Sequence, residues 1–488
     1  MVESFVDGDP AFNYGTGYGT SHHRGDLAGI TASLDWIAST GATTLWLTPI
    51  FDSDAGAPQD RLTGDDPVDL RLDATGYFAR DYFNIDPKFG TASDLKTLVR
   101  EAEARGLEIM FDGVFGHHKG AVAPSPSGVL PKDLETARDY SGGAKNYPGR
   151  LVDWSSTESL AFYQEFIRYW ADEFGVVSWR LDQVYQTSNS AWIELIRQMQ
   201  DSAAEIGKPH FHVGENWTGA DGLADLFGSN DAPALTALFD FPTRYALVQA
   251  LAVEESGAGK KPATILTEDW ALHARERYPD HAVPVGFLGN HDLVRFGDLL
   301  QRGGLGGPET AAYWDRHRLA FAYLAAYSGP IAFYYGEELG VETPNFTGRV
   351  EDGCAEQGLC DDHAARTSGV IPGVTHDPSQ LPEDANRLFE DLQKLLQLRR
   401  QYPSLSMGAR EHLYADEAIY ADLKSLDGEK ILFVMNITGT PKTLEISTDL
   451  IGDLTDDMMT LWGPSPELTS SGDLSLEIDG LASAIIRL

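Results

Sequence analysis

Apolar residues fall in short runs along this chain, and between the runs they recur at the three-to-four-residue spacing of one helix face. Runs that fit buried strands lie at about 2–6 (VESFV), 43–50 (TTLWLTPI), 107–114 (LEIMFDGV), 176–182 (VVSWRLD), 210–215 (HFHVGE), 235–240 (LTALFD), 283–289 (VPVGFLG) and 330–335 (PIAFYY). The intervening "SDLKTLVREAEARG", "SLAFYQEFIRYWADEFG" and "SAWIELIRQMQDSAAEIG" open on Ser and close on Gly. A serine hydroxyl accepts from the unpaired N–H groups of a first helical turn, and glycine takes the left-handed conformation that ends the last one. Eight strand-and-helix units in succession predict an α/β fold, a closed (β/α)8 TIM barrel rather than an open doubly wound sheet.

Two long insertions interrupt the alternation, at about 116–158 and 336–383, and each follows a strand end. In a barrel the strand C-termini surround the active site, so both insertions are expected on its rim. After "ANRLFEDLQKLLQLRRQYPSL" the period shortens to alternating segments such as "AIYADLKS", "KILFVMNIT" and "SAIIRL", the pattern of antiparallel strands. The expected domains are a barrel over 1–115 and 159–403, an inserted unit over 116–158 and an antiparallel β domain over 404–488.

Composition changes this picture in one respect. The 488 residues hold 37 Lys plus Arg against 74 Asp plus Glu, a formal charge of −37, which excludes a counterion-releasing nucleic-acid binder. With 42% hydrophobic residues the chain is still expected to bury a large core. No run reaches the roughly 18 apolar residues of a membrane span, so a membrane partner is not expected. The opening MVESFVDGDP has neither a basic nor an apolar signal region, which leaves a cytoplasmic and a processed secreted protein both open. Cys354 and Cys360 fit one small disulfide or two thiols equally. The glycosylation-like strings at Asn216, Asn345 and Asn436 are ordinary chance in this length. Oligomeric state is not legible.

Asp112, Asp182, Glu215 and Asp292 fall at or just beyond the ends of the third, fourth, fifth and seventh predicted strands. One such acid reads as solvated surface, but four at equivalent places read as a shared barrel mouth. Paired carboxyl groups suit glycosidic cleavage, since one can protonate the leaving oxygen while the other attacks or stabilises the developing cation. Arg180 lies two residues before Asp182, on the same strand face, where a fixed cation keeps that carboxylate ionised. The alternative for Arg180 is an ordinary structural ion pair. His117 and His291 neighbour two of these strand ends and suit hydroxyl binding. Zinc at His22 and His23, or at His117 and His118, is disfavoured because adjacent histidines seldom converge on one ion. Of the aromatics Tyr77, Phe78, Tyr82, Phe83 and Trp154, Tyr77 is the expected sugar platform, with Gly76 beside it leaving room for a ligand.

Six strings in order, "GATTLWLTPIF", "TGYFARDYFNIDPKFGTASDLKTLVREAEARGLEIMFDGVFGHH", "SWRLD", "VGENW", "FLGNHD" and "SGPIAFYYGEELG", resemble the signature segments of glycoside hydrolase family 13, the alpha-amylase family. The resemblance implies a nucleophile at Asp182, a general acid/base at Glu215 and a transition-state stabiliser at Asp292. It implies hydroxyl contacts from His117 and His291, stacking from Tyr77, and organising roles for Asp112 and Arg180. It makes 116–158 domain B and the C-terminal unit a β-sandwich, and it implies retention of configuration through a covalent glycosyl-enzyme. Five positions depart from the family. Gly116 stands where an Asn that is often a calcium ligand is common. Thr75 replaces a frequent His, and Gln183, Tyr185 and Gln186 follow the nucleophile where Ala, Lys and His are frequent. Calcium therefore stays open as a cofactor, with Asp7, Asp9 and Asn13 as another oxygen-rich stretch that fits a turn better.

The expected function is a retaining alpha-glucoside hydrolase taking an oligosaccharide or small glucoside. The alternatives are an alpha-glucosidase or transglycosylase on a small glucoside, and a non-catalytic carbohydrate-binding or partner module. Retention of all three carboxylates argues against the last. The acid excess with only 12 lysines fits either a protein adapted to salt, because carboxylates hold water and salt screens their repulsion, or solubility alone. On the first reading the melting temperature should rise from low to molar sodium chloride, and a flat series would overturn that expectation.

Overall fold

In the computed structural model, residues 1–53, 67–134, 149–268, 274–348, 361–452, 454 and 458–488 are described. Cys354 and Cys360 lie outside them. Two units divide the chain, Met1–Phe239 with Tyr278–Ala282 and Arg366–Pro378, and Asp240–Arg277 with Val283–Ala365 and Ser379–Leu488.

In the first unit the apolar runs become parallel strands at Thr44–Leu47, Glu108–Gly113, Ser178–Leu181, His212–Gly214 and Ala237–Phe239, each paired to the next. Of the expected helix ends, Gly175 and Gly207 hold, whereas each N-cap falls two or three residues ahead of the serine that opens the predicted segment and the first helix stops at Ala104 instead of Gly106. Thr91 opens Ala92–Glu103 with a reciprocal bond to Asp94, Ser156 opens Thr157–Phe174 and Ser188 opens Asn189–Ile206. The last two end at Gly175 and Gly207, both left-handed. Their apolar faces press onto the sheet: Phe166 and Trp170 reach Phe51, with ring centroids 5.0 and 5.3 Å away. Tyr82 and Phe83 belong to this core, edge-on to Phe162 and Phe166. The start of the first insertion folds back as the antiparallel pair His117–Lys119 and Gly149–Leu151.

The first predicted strand, 2–6, does not form. The Phe5 N–H donates to Val2 O to close a turn, the Val2 N–H donates to Thr48 Oγ1, and Glu3 O and Val6 O accept from Gly25 and Asp26. Val2, Phe5 and Val6 are buried, so the apolar run reports burial, while its backbone groups are satisfied by loops instead of a neighbouring strand.

In the second unit Val283–Phe287 and Ile331–Ala332 pair in parallel. The C-terminal residues form a five-stranded antiparallel sheet, ordered Ala409–Ala415, Ile419–Leu426, Glu429–Asn436, Ala482–Arg487 and Met459–Trp462, and a three-stranded one from Lys442–Ile446, Leu474–Ile478 and Glu467–Leu468. Ala421, Leu432, Val434 and Ile486 of the larger sheet share a core with Leu444, Leu474 and Leu476 of the smaller, which makes a sandwich. The larger sheet is buried on its other face too, where Tyr323 of the helix Ala311–Ala325 lies 6.0 Å from both Tyr420 and Phe433. Among the described residues no helix is long and apolar enough to cross a membrane.

A histidine pair ties together the entries of three parallel strands in the first unit. The Thr236 N–H donates to His212 Nε2 (3.0 Å), so His212 carries its proton on Nδ1, which faces His210 Nε2 (3.0 Å). His210 in turn donates from Nδ1 to Val177 O (2.8 Å). The chain of donors closes only with both rings neutral, and burial keeps them so, lowering His210 and bringing His212 to about 3 from 6.5. Between those values the unfolded chain binds more protons than the folded one, so this stabilisation is complete above pH 6.5 and is lost as pH falls. The parent should therefore lose unfolding free energy more steeply than His212→Gln from pH 6.5 downward, by up to about 1.4 kcal/mol per pH unit for each proton. Parallel slopes in urea denaturation series would refute the linkage.

Candidate active site

Strand register assembles the site in the first unit. Asp112 pairs across the sheet with Arg180, and Leu181 with Gly214. The ladder continues one residue further, the Asp182 N–H donating to Gly113 O (3.0 Å) and the Glu215 N–H to Leu181 O (2.8 Å). Both acids are thus held by backbone at the ends of neighbouring strands, and the Gln183 N–H donates to Glu215 Oε2 (3.2 Å).

Arg180 is the centre of the cluster and is fully buried. Its Nη1 donates to Asp112 Oδ1 and Oδ2 (2.9 and 3.1 Å) and to Asp182 Oδ1 (2.8 Å), and its Nη2 lies 3.8 Å from Glu215 Oε2. Burial alone would disfavour its charge, but Asp112, Tyr77, Asp182 and Glu215 more than offset that and hold it protonated. Burial also pushes Asp112 above the usual carboxylate range, against the pull of Arg180. Asp112 accepts further from the Tyr77 hydroxyl (2.7 Å) and from Trp46 Nε1 (3.0 Å) on the neighbouring strand.

Six of the eight residues singled out from the sequence belong to this unit's cluster: Tyr77, Asp112, His117, Arg180, Asp182 and Glu215. His117 is buried, its Nε2 3.1 Å from Tyr77 O and its Nδ1 2.9 Å from the Gln186 carboxamide, and burial lowers its pKa to about 4. His291 and Asp292 are in the second unit, just past the strand Val283–Phe287. There His291 Nε2 is 3.2 Å from Asp292 Oδ2, and Asn290 Oδ1 accepts from the Asp292 N–H (2.9 Å).

One reading changes and one residue was missed. Gly76 does not serve to make room for a ligand: with φ +78°, a Cβ there would fall 2.0 Å from Pro49 O, so backbone contact requires the glycine. Trp46 escaped the sequence reading because a strand tryptophan looks like core; its indole N–H on a buried carboxylate has no signature in sequence.

Where the family resemblance puts a metal, the residues present offer few of its donors. Gly116 offers no side-chain oxygen, and a Cβ there would meet Gln186 Oε1 at 2.2 Å. Lys119, three residues on and buried, itself brings a cation, its ammonium on Asp73 Oδ1 and Ser53 O. This donor set does not suit calcium, which takes six to eight oxygens. Asp9 closes its own turn, accepting from the Ala11 N–H, and Asn13 donates to Pro10 O. His23 pairs with Glu3 and His118 with Asp133. Among the described residues no group of three or more His, Cys, Asp or Glu is placed to hold an ion.

Known proteins resemble this chain over most of its length. The family model "Alpha amylase, catalytic domain" matches residues 2–141 and 151–426. A cyclomaltodextrinase from Geobacillus thermopakistaniensis is 26% identical over 90% of this chain and 67% of its own, and an alpha-amylase from Streptomyces lividans is 24% identical over 88% and 53%. The crystal structure of AmyP in complex with maltose is 41% identical, with TM-score 0.89 over all of this chain and 95% of that one. A variant of AmyP in complex with maltotriose is 40% identical at the same TM-score. The (β/α)8 barrel and the C-terminal β-sandwich expected from the sequence are thereby the fold of this chain. With its catalytic-domain model matched from near the first residue to 426, the chain belongs to the alpha-amylase family of glycoside hydrolases.

Proposed function

We propose that this protein is a retaining alpha-glucoside hydrolase acting on starch-derived or other short alpha-glucans. The observation that carries the reading is the Arg180 fork, which fixes Asp182 as a carboxylate beside Glu215. In the first step Glu215 gives its proton to the glycosidic oxygen, the bond from C1 to that oxygen breaks, and an Asp182 oxygen bonds C1. In the second, Glu215 takes a proton from water, whose oxygen displaces Asp182 from C1 with net retention. Asp292 stabilises the cationic transition state, Tyr77 stacks on the sugar, and His117 and His291 bind its hydroxyls, while Asp112 and Arg180 set the charge. The activities named for the curated relatives and the maltose and maltotriose held by AmyP support a maltooligosaccharide substrate. The same reading keeps 1–115 and 159–403 as barrel, 116–158 as domain B and 404–488 as domain C.

The test is incubation with maltose, maltoheptaose, soluble starch, isomaltose, trehalose and sucrose, with products resolved by chromatography and their anomers read by proton NMR. Short maltooligosaccharides of alpha configuration are expected. Glucose alone from one small substrate would make it an alpha-glucosidase, transfer products a transglycosylase, and no product from any would favour a binding module.

Glu215→Gln should lower kcat on maltoheptaose by about 10²–10⁴-fold. On an activated fluoride, whose departure needs no proton, the same variant should accumulate a glycosyl ester on Asp182, seen by mass spectrometry; unchanged turnover would overturn the assignment. Arg180→Leu leaves Asp112 and Asp182 buried without their cation, and should lose about 3–5 kcal/mol in denaturant unfolding. A loss below about 1 kcal/mol, the size of a surface pair, would show the fork to be dispensable.

A further inference from the structure

Two departures from the family pattern, Gly116 and Gln186, lie far apart in sequence and meet in space. A Cβ on Gly116 would lie 2.2 Å from Gln186 Oε1 and 2.4 Å from its Cβ, so Gln186 occupies the volume that any side chain at 116 would need. From there its carboxamide reaches His117 Nδ1 (2.9 Å) and the Gln183 carboxamide (2.9 Å), which the Tyr185 hydroxyl reaches in turn (2.7 Å). The opposite ring nitrogen of His117 faces Tyr77 O (3.1 Å), a group that can only accept. A neutral ring therefore carries its proton on Nε2 and leaves Nδ1 to accept. As placed, Gln186 Oε1 faces Nδ1 and fits a ring that donates there; for the neutral ring the Gln186 and Gln183 amides turn together, so that Gln186 Nε2 donates to Nδ1 and Gln183 Nε2 donates to Gln186 Oε1.

We propose that Gln186 is a positioning residue that fills the space over Gly116 and holds the His117 ring, so that this joint between barrel and insertion is set by a neutral side chain and needs no divalent cation. Independent support comes from Lys119, whose buried ammonium lies on Asp73 and Ser53 O at the same short strand. The role of His117 at the sugar rests on the proposed function; the volume and cation arms do not.

Gln186→Met keeps length and bulk but cannot bond the ring. It should melt with the parent while kcat/KM on maltotriose falls about tenfold, the size of one buried hydrogen bond. A Gln186→Met enzyme with parental kcat/KM would reduce the residue to filling and overturn the positioning role. Gly116→Asn and Gln186→Ala should each lower the melting temperature, and the double variant should melt no lower than the worse single, since both act on one volume. Strictly additive losses would overturn the shared volume. Chelator should leave the parent's melting temperature unchanged, and a drop reversed by added calcium would overturn the cation claim. The melting arms use no substrate, so they stand or fall apart from the proposed hydrolysis.

Discussion

A single buried guanidinium decides both the shape and the charge of this site. Asp112, Asp182 and Glu215 lie within a few ångströms of Arg180, and without it the buried Asp112 and Asp182 would face each other with no cation between them. The cation in turn has nowhere to stay charged in the interior except among them. Its position follows from strand pairing, since Asp112 sits opposite Arg180 and the ladder runs on to Asp182 and Glu215. Slipping either strand by one residue would turn these side chains to the other face of the sheet. Register and catalytic electrostatics are therefore one constraint.

The same solution recurs at several other inward-lying bases. Lys119 rests on Asp73, Arg244 on Glu255, and Lys424 and Arg410 on Asp422. In a chain with twice as many acids as bases, the cations are the scarce partners. These four bases are placed against carboxylates, while the buried Arg295 and Arg316 rest on backbone carbonyls; much of the negative excess is left to the surface, where water solvates it.

What could be read from the sequence were features local in the chain. Strand ends were legible because an acid closing an apolar run is conspicuous, as at Asp112 and Asp182, and helix ends because Gly175 and Gly207 act on their own turns, while the capping Ser156 and Ser188 lie two or three residues ahead of the serines that drew the eye. The run at 2–6 misled because burial and strand pairing share the same apolar signal. The Trp46 bond to Asp112 and the meeting of Gln186 with His117 span 66 and 69 positions, and nothing near either end of such a contact announces it. The burial of Ile419–Leu426 on both faces was hidden likewise, because the helix that covers its second face lies about a hundred residues earlier.

Gly76 gives the floor of the site a fixed depth. Its missing side chain lets the backbone press against Pro49 O, and the next residue hangs its phenol on Asp112. Any larger residue would lift the whole segment and pull the phenol off the carboxylate, whatever ligand were present. Natural or laboratory diversification of this scaffold thus has a rigid base plate to build on. Beside the strand ends Tyr185 and Trp217 stand exposed, where a changed side chain meets water and not backbone.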